Sequence, residues 1–169
     1  MADLVTHVAS ALIPGVALKP WQAVLLSVGT ALPDIVGRAP GLAAEALERL
    51  GAADVPDWFP IPFGIAHQPI GGMLLAGLLA WLLPERLRAS AVALLCGGVL
   101  LHLALDVLQD HHGHGYYLLV PFDWGRYELG CIGSEATVLW APWLALGTAV
   151  VWGVRWVVWR RGRNSRGVA

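Results

Sequence analysis

The chain has 169 residues, of which 57% are hydrophobic and only 14% charged, and its formal net charge is −1. An ordinary soluble domain carries roughly 25% charged residues, so too few are present to coat a water-facing surface. With no basic stripe outside the C-terminal tail, a nucleic-acid partner is not expected either.

Taken in chain order, the hydropathy pattern predicts an all-α fold: a polytopic transmembrane helical bundle of about five membrane helices plus a short interfacial amphipathic helix. The start, Met1-Ala2-Asp3-Leu4, lacks the basic region of a cleavable signal peptide. Residues 4–18 and 21–34 form two short apolar segments joined by a turn at Lys19-Pro20. Residues 41–51 set Leu42, Ala46, Leu47 and Leu50 on one side and Glu45, Glu48 and Arg49 on the other, the pattern of a helix lying at a membrane surface. Pro56, Pro60 and Pro62, with Trp58, Phe59 and Phe63, then make an extended interfacial loop.

Three longer apolar stretches follow, at residues 65–84, 89–109 and 136–159. At about 1.5 Å per residue each reaches roughly 30 Å or more, the thickness of a bilayer core. Residues 110–135 are polar and glycine-rich, a loop outside the bilayer. The single membrane domain therefore covers residues 1–159, and residues 160–169 form a basic tail. Cys96 and Cys131 lie far apart and indicate neither a disulfide framework nor a CxxC site.

Basic residues set the expected orientation. Lys19, Arg86, Arg88, Arg160, Arg161, Arg163 and Arg166 fall on one side of a five-helix chain, against Arg38, Arg49 and Arg126 on the other. This places the C-terminus in the cytoplasm of a multi-pass protein of the plasma membrane, surrounded by membrane lipids. Trp21, Trp81, Trp156 and Trp159 near the inner boundary, and Trp58, Trp124, Trp140 and Trp143 near the outer one, supply two aromatic belts.

Against this background, ionisable residues within the spans stand out, because each costs about 2.5–3.5 kcal/mol on insertion scales and marks function by default. His7, Asp34, His67, His102 and Asp106 are such residues. Measured from the inner end of each predicted helix, all five fall in one layer roughly 17–26 Å up, toward the outer face. His102 and Asp106 are one helical turn apart, so both can reach one cation. Three imidazoles and two carboxylates without cysteine suit a divalent metal taking N and O ligands, Zn²⁺ first, with Mn²⁺ or Fe²⁺ as alternatives. His111, His112 and His114, with Glu135 behind them, are candidates for a second metal.

The motifs Thr6-His7, Leu32-Pro33-Asp34, Ala66-His67-Gln68, His102-Leu103-Ala104-Leu105-Asp106 and Leu119-Val120-Pro121-Phe122 resemble the bacterial family of membrane-bound metal-dependent hydrolases. More distantly, their order is similar to the metal sites of zinc-dependent phospholipases C and single-strand nucleases. The resemblance implies a bacterial inner-membrane location and carries His7, Asp34, His67, His102 and Asp106 over as metal ligands, with Asp106 a bridge between two ions. Around the third ligand the family often shows His-Arg-x-x-Thr-His-Ser, where this chain has Pro62-Phe63-Gly64-Ile65-Ala66-His67-Gln68 and keeps only the later histidine.

The expected function is hydrolysis of a phosphoester, of a lipid or lipid-linked substrate, by a metal-activated water, with Asp34 and Asp106 as catalytic carboxylates. The alternative is a non-catalytic metal-binding membrane protein or a metal or proton transporter.

Overall fold

A computed structural model describes residues 4–51, 54–56, 58–59, 61–110, 112 and 115–164. The fold is all-helical apart from two very short strands: α1 (Leu4–Gly15), α2 (Pro20–Arg49), a 3₁₀ segment (Ile61–His67), α3 (Pro69–Trp81), α4 (Glu85–Leu108) and α5 (Ser134–Asn164). Between α4 and α5, β1 (Gln109–Asp110) pairs in parallel with β2 (Ile132–Gly133).

Helix boundaries follow local chemistry. At Lys19-Pro20, proline supplies its fixed φ at the first helical position, where no N–H is needed. The Lys19 backbone N–H donates to the Gln22 side chain at 3.0 Å, closing the start of α2. Pro69 plays the same part for α3 and disfavours a helical conformation at the residue before it. Gln68 is accordingly extended, so the helix does not run back through His67. The chain instead turns by 87° between the 3₁₀ segment and α3. Glu85 places an acidic side chain in the first turn of α4, where the helix dipole favours it.

These facts correct the expected span count. Two helices are long and apolar enough to cross a membrane, in α4 and in α5 (Glu135–Arg161), or three if the bent 3₁₀–α3 pair counts as one span. The first helix, α1, has only 12 residues. That is about 18 Å of helix, too short for a bilayer core. The helix expected over 21–34 does not stop there. It continues through Pro40 to Arg49 and absorbs the amphipathic segment 41–51, so no separate interfacial helix exists among the described residues. The extension adds Arg38, Glu45, Glu48 and Arg49 to Asp34, and α2 is not among the helices long and apolar enough to cross a membrane. The predicted helix 65–84 is α3 alone, with His67 left in the 3₁₀ segment. The last helix, α5, runs from Ser134 to Asn164, so the basic tail begins as helix.

The centre of the bundle is the contact of α2 with α4, and it depends on two glycines. A Cβ on Gly98 would lie 2.3 Å from the Leu26 carbonyl oxygen, and one on Gly29 would lie 2.2 Å from that of Leu95. Small residues allow the two backbones to touch, as membrane helices commonly do. The adjoining core of Ala76, Ala80, Ala91, Leu95, Val99 and Leu103 joins α3 to α4. Helix α5 packs mainly on α1: Trp152 Nε1 donates to the Leu12 carbonyl at 3.0 Å, and the Arg155 guanidinium donates to the carbonyls of Val16 and Leu18 beyond the end of α1. Elsewhere α5 is bare. Only 11% of its most apolar stretch is buried, leaving Leu139, Trp143, Leu146, Val150, Val154 and Val158 uncovered along its length. An apolar surface this long is consistent with a helix covered by lipid and is out of place in water.

Candidate metal centre

Asp106 is the centre of the site. It lies near the end of α4, fully buried, one turn beyond the equally buried His102. His102 Nε2 lies 3.2 Å from Asp106 Oδ2, and His7 Nε2, brought in by α1, lies 3.2 Å from Oδ1. The carboxylate is therefore held between two imidazoles. The two rings stack on each other, with centroids 3.9 Å apart and an interplanar angle of 24°.

A second group adjoins the first. His67 reaches in from the 3₁₀ segment and places Nε2 3.4 Å from Oδ1 of Asp34 on α2. Its ring meets the His102 ring edge-on at 5.4 Å. Gly37, one turn from Asp34, leaves the space this ring needs, since a Cβ there would lie 2.4 Å from His67 Nδ1. His102 belongs to both sets: His7, His102 and Asp106 on one side, Asp34, His67 and His102 on the other, each with ligand atoms within 4.8 Å of one another. All five residues singled out in the spans come together in space, on four different elements.

The polar atoms pose a problem that a cation would solve. His102 Nδ1 lies 2.8 Å from the Thr30 carbonyl oxygen. A carbonyl can only accept, so Nδ1 carries the proton. In the neutral ring Nε2 then offers a lone pair, and it faces the acceptor-only Asp106 carboxylate. Close as they are, the atoms are out of line for a hydrogen bond. Both nitrogens of His7, Nε2 of His102, both oxygens of Asp106 and Oδ2 of Asp34 are buried without a hydrogen-bond partner among the described residues. Buried polar groups are rarely left so. Ligand atoms around a tetrahedral zinc with bonds of about 2.1 Å lie about 3.4 Å apart. The two separations of 3.2 Å at Asp106 are close to that. The donor set and its spacing fit a divalent ion, and the Thr30 carbonyl already fixes the His102 ring through Nδ1, as a ligand imidazole would require. These buried His and Asp groups could hold a metal ion.

Three neighbours escaped the sequence reading. Arg38 Nε lies 3.0 Å from Asp34 Oδ1 along α2; its place one turn after Asp34 was the available signal. Thr30 contributes only its carbonyl, which no side-chain pattern could reveal. Tyr116 arrives from the loop after α4, stacks on the His67 ring at 5.9 Å and 16°, and faces Asp106 and Arg38. Burial, with the Asp106 charge beside it, pushes its phenol well above the usual range, so the hydroxyl keeps its proton.

Two of the second-metal candidates, His112 and Glu135, lie among the described residues. The His112 backbone N–H donates to Asp110 Oδ1 at 2.8 Å, and its side chain is exposed, as is Glu135. Neither joins a group of three ligands among the described residues. His111 and His114 lie outside those residues.

Asp34 and Arg38 form the polar floor of a pocket of about 310 Å³ whose other walls are Leu4, Ile35, Ala39 and Leu42. A wider cleft of about 430 Å³ between α1 and α5 is apolar but for Thr148, and a third lies at the other end of α5 around Trp152 and Trp156. Of these three, only the first touches the clustered ionisable residues. No family model, curated protein or solved structure matches this chain.

Proposed function

We propose that this is an integral membrane metal-dependent hydrolase that cleaves a phosphoester of a lipid or lipid-linked substrate. The observation that carries the reading is the pair of buried ligand sets sharing His102, with Asp34 at the edge that opens to the pocket. The order of motifs from Thr6-His7 to Phe122, with its resemblance to bacterial membrane-bound metal-dependent hydrolases, supports it. The basic bias of Arg86, Arg88, Arg160 and Arg161 supports a cytoplasmic C-terminus and a site toward the outer face.

Zinc bound here would lower the pKa of a water toward ~7 and offset charge on the phosphoryl oxygens. The chain's own residues divide the remaining work. Asp106, sealed between His7 and His102, holds ligand geometry. Asp34 keeps Oδ2 free of protein partners among the described residues, in position beside the pocket to take a proton from the attacking water. The water oxygen bonds to phosphorus, the ester P–O bond breaks, and the leaving alcohol oxygen takes up, directly or through solvent, the proton that Asp34 removed from the water. Tyr116, still protonated, can donate to a phosphoryl oxygen from the loop side.

Purified protein with Zn²⁺ or Mn²⁺ should hydrolyse bis(p-nitrophenyl) phosphate. Activity unchanged in His102→Ala and Asp106→Ala proteins would rule the mechanism out. Metal uptake by proteoliposomes, lost with the same substitutions, would instead make the protein a carrier.

A further inference from the structure

Arg38 is not accounted for by metal binding. A guanidinium carries five donors and cannot lose its charge. Tyr116 faces the guanidinium from the loop side, but Nε and Nη2 are buried without a hydrogen-bond partner among the described residues, and the neighbouring Asp34 carboxylate, though 3.0 Å from Nε, is out of line for a hydrogen bond. The other walls of its pocket are all apolar. Ile35 and Leu42 on α2 are 54% and 64% exposed, so the pocket opens along an apolar face of the helix. Leu4 borders this pocket and also the apolar cleft between α1 and α5.

From this juxtaposition we infer that Arg38 is the anchor for the phosphate of an amphiphilic, chain-bearing phosphoester. Its fork binds the anion beside Asp34, and the hydrocarbon chain lies over Ile35 and Leu42 toward Leu4. The inference rests on the hydrolase reading for the fate of the ligand, but not for its binding. Planar, bidentate recognition of a phosphate is a task for which arginine is suited. A soluble phosphoester would satisfy the fork and leave the apolar walls uncovered. A neutral lipid would cover the walls and leave the fork unsatisfied. Only a ligand with both parts matches both.

The test is binding, by titration calorimetry, of hexyl phosphate and methyl phosphate to the zinc-loaded full-length protein in detergent. Hexyl phosphate should bind at least tenfold more tightly than methyl phosphate. Arg38→Gln should weaken both at least tenfold without lowering zinc content, and Leu42→Asp should abolish the preference for the longer chain. Arg38→Lys, which keeps the charge beside Asp34, guards against loss of the site and should recover part of the affinity. Equal binding of the two phosphates, or affinity indifferent to both Arg38 substitutions, would overturn the inference. Turnover of hexyl p-nitrophenyl phosphate separates the two readings: intact binding without turnover removes the hydrolase and leaves the anchor, while turnover with binding indifferent to Arg38 does the reverse.

Discussion

His7 and His102 stack at 3.9 Å between ring centroids, and each directs Nε2 to a different oxygen of Asp106. Two imidazolium rings in that stack would repel each other at short range in a medium of low dielectric. One proton shared between them would still leave a nitrogen lone pair against the carboxylate. A divalent cation held by the three side chains would give a partner to both Nε2 atoms and to the Asp106 carboxylate at once.

Protein purified without chelator should accordingly hold about one tightly bound divalent ion per chain at this set, zinc being favoured by the ligand types. Elemental analysis of His7→Ala, His102→Ala and Asp106→Ala proteins should each show its loss. Chelation should lower the melting temperature of the wild type, because a ligand of the native state alone stabilises it. A wild type free of metal and indifferent to chelator would remove the basis of the site.

Gly98→Ala tests the helix contact below the site. Its added methyl meets the Leu26 carbonyl and the Thr30 backbone nitrogen, neither of which can rotate away. Overpacking commonly costs about 1–3 kcal/mol, and the upper end is expected here. Because Thr30 also orients His102, metal affinity should fall along with thermal stability. Gly77→Ala, which meets nothing within 4 Å, is the control and should be neutral.

Much of this site was legible in the sequence because ionisable residues within apolar runs are few and costly. Their rarity is visible without accurate helix boundaries, and His7, Asp34, His67, His102 and Asp106 did converge. The boundaries themselves were less accessible. Pro40 was compatible with a break between two helices, yet α2 runs through it. Proline weakens a helix interior by removing one hydrogen bond and crowding the preceding turn, a cost that tertiary contacts can offset. Pro69, in contrast, does start a helix, which moved His67 out of a predicted span and into a bend. Hydropathy alone could not tell these prolines apart. Nor could it find Tyr116, because a loop residue's approach to a helix-borne carboxylate is set by the path of the chain.

The loop that delivers Tyr116 should have a defined pH window. Tyr116 and Tyr127 form an isolated antiparallel bridge, and the Tyr127 hydroxyl donates to Asp123, which also accepts from the Gly125 N–H at 2.8 Å. The hydrogen bond from Tyr127 holds the Asp123 carboxyl below its usual range, and the same bond raises the Tyr127 phenol. A depressed carboxyl contributes order that is present above its unfolded pKa, about 3.9, and is lost as pH falls through the folded value. A raised phenol contributes order that is complete below its unfolded pKa, about 10, and is lost as pH rises through the folded one. Amide exchange at Gly125 should therefore show protection, after correction for intrinsic rates, across neutral pH and lose it at both extremes. Tyr127→Phe should reduce that protection at neutral pH. Equal protection in the two proteins would show that this pair does not order the loop.

Gly37→Ala divides the two ligand sets. The new methyl would sit 2.4 Å from His67 Nδ1 and 2.7 Å from Cε1, so the ring must swing away from Asp34. Neither His7 nor Asp106 is touched. A half-buried imidazole can move more readily than backbone, so the fold should survive with a melting temperature close to that of the wild type. Displacing the supporting geometry of a ligand typically lowers metal affinity or activity about 10–100-fold, and a loss of that size is expected in turnover. Metal held by His7, His102 and Asp106 should remain, since His102 is oriented by Thr30 and not by His67. Phosphoester turnover should thus fall in a protein that still carries its tightly bound ion, whereas His102→Ala should lose both. If Gly37→Ala instead lost the ion and turnover together, the five residues would constitute one indivisible centre, and assigning Asp34 a role apart from Asp106 would be wrong.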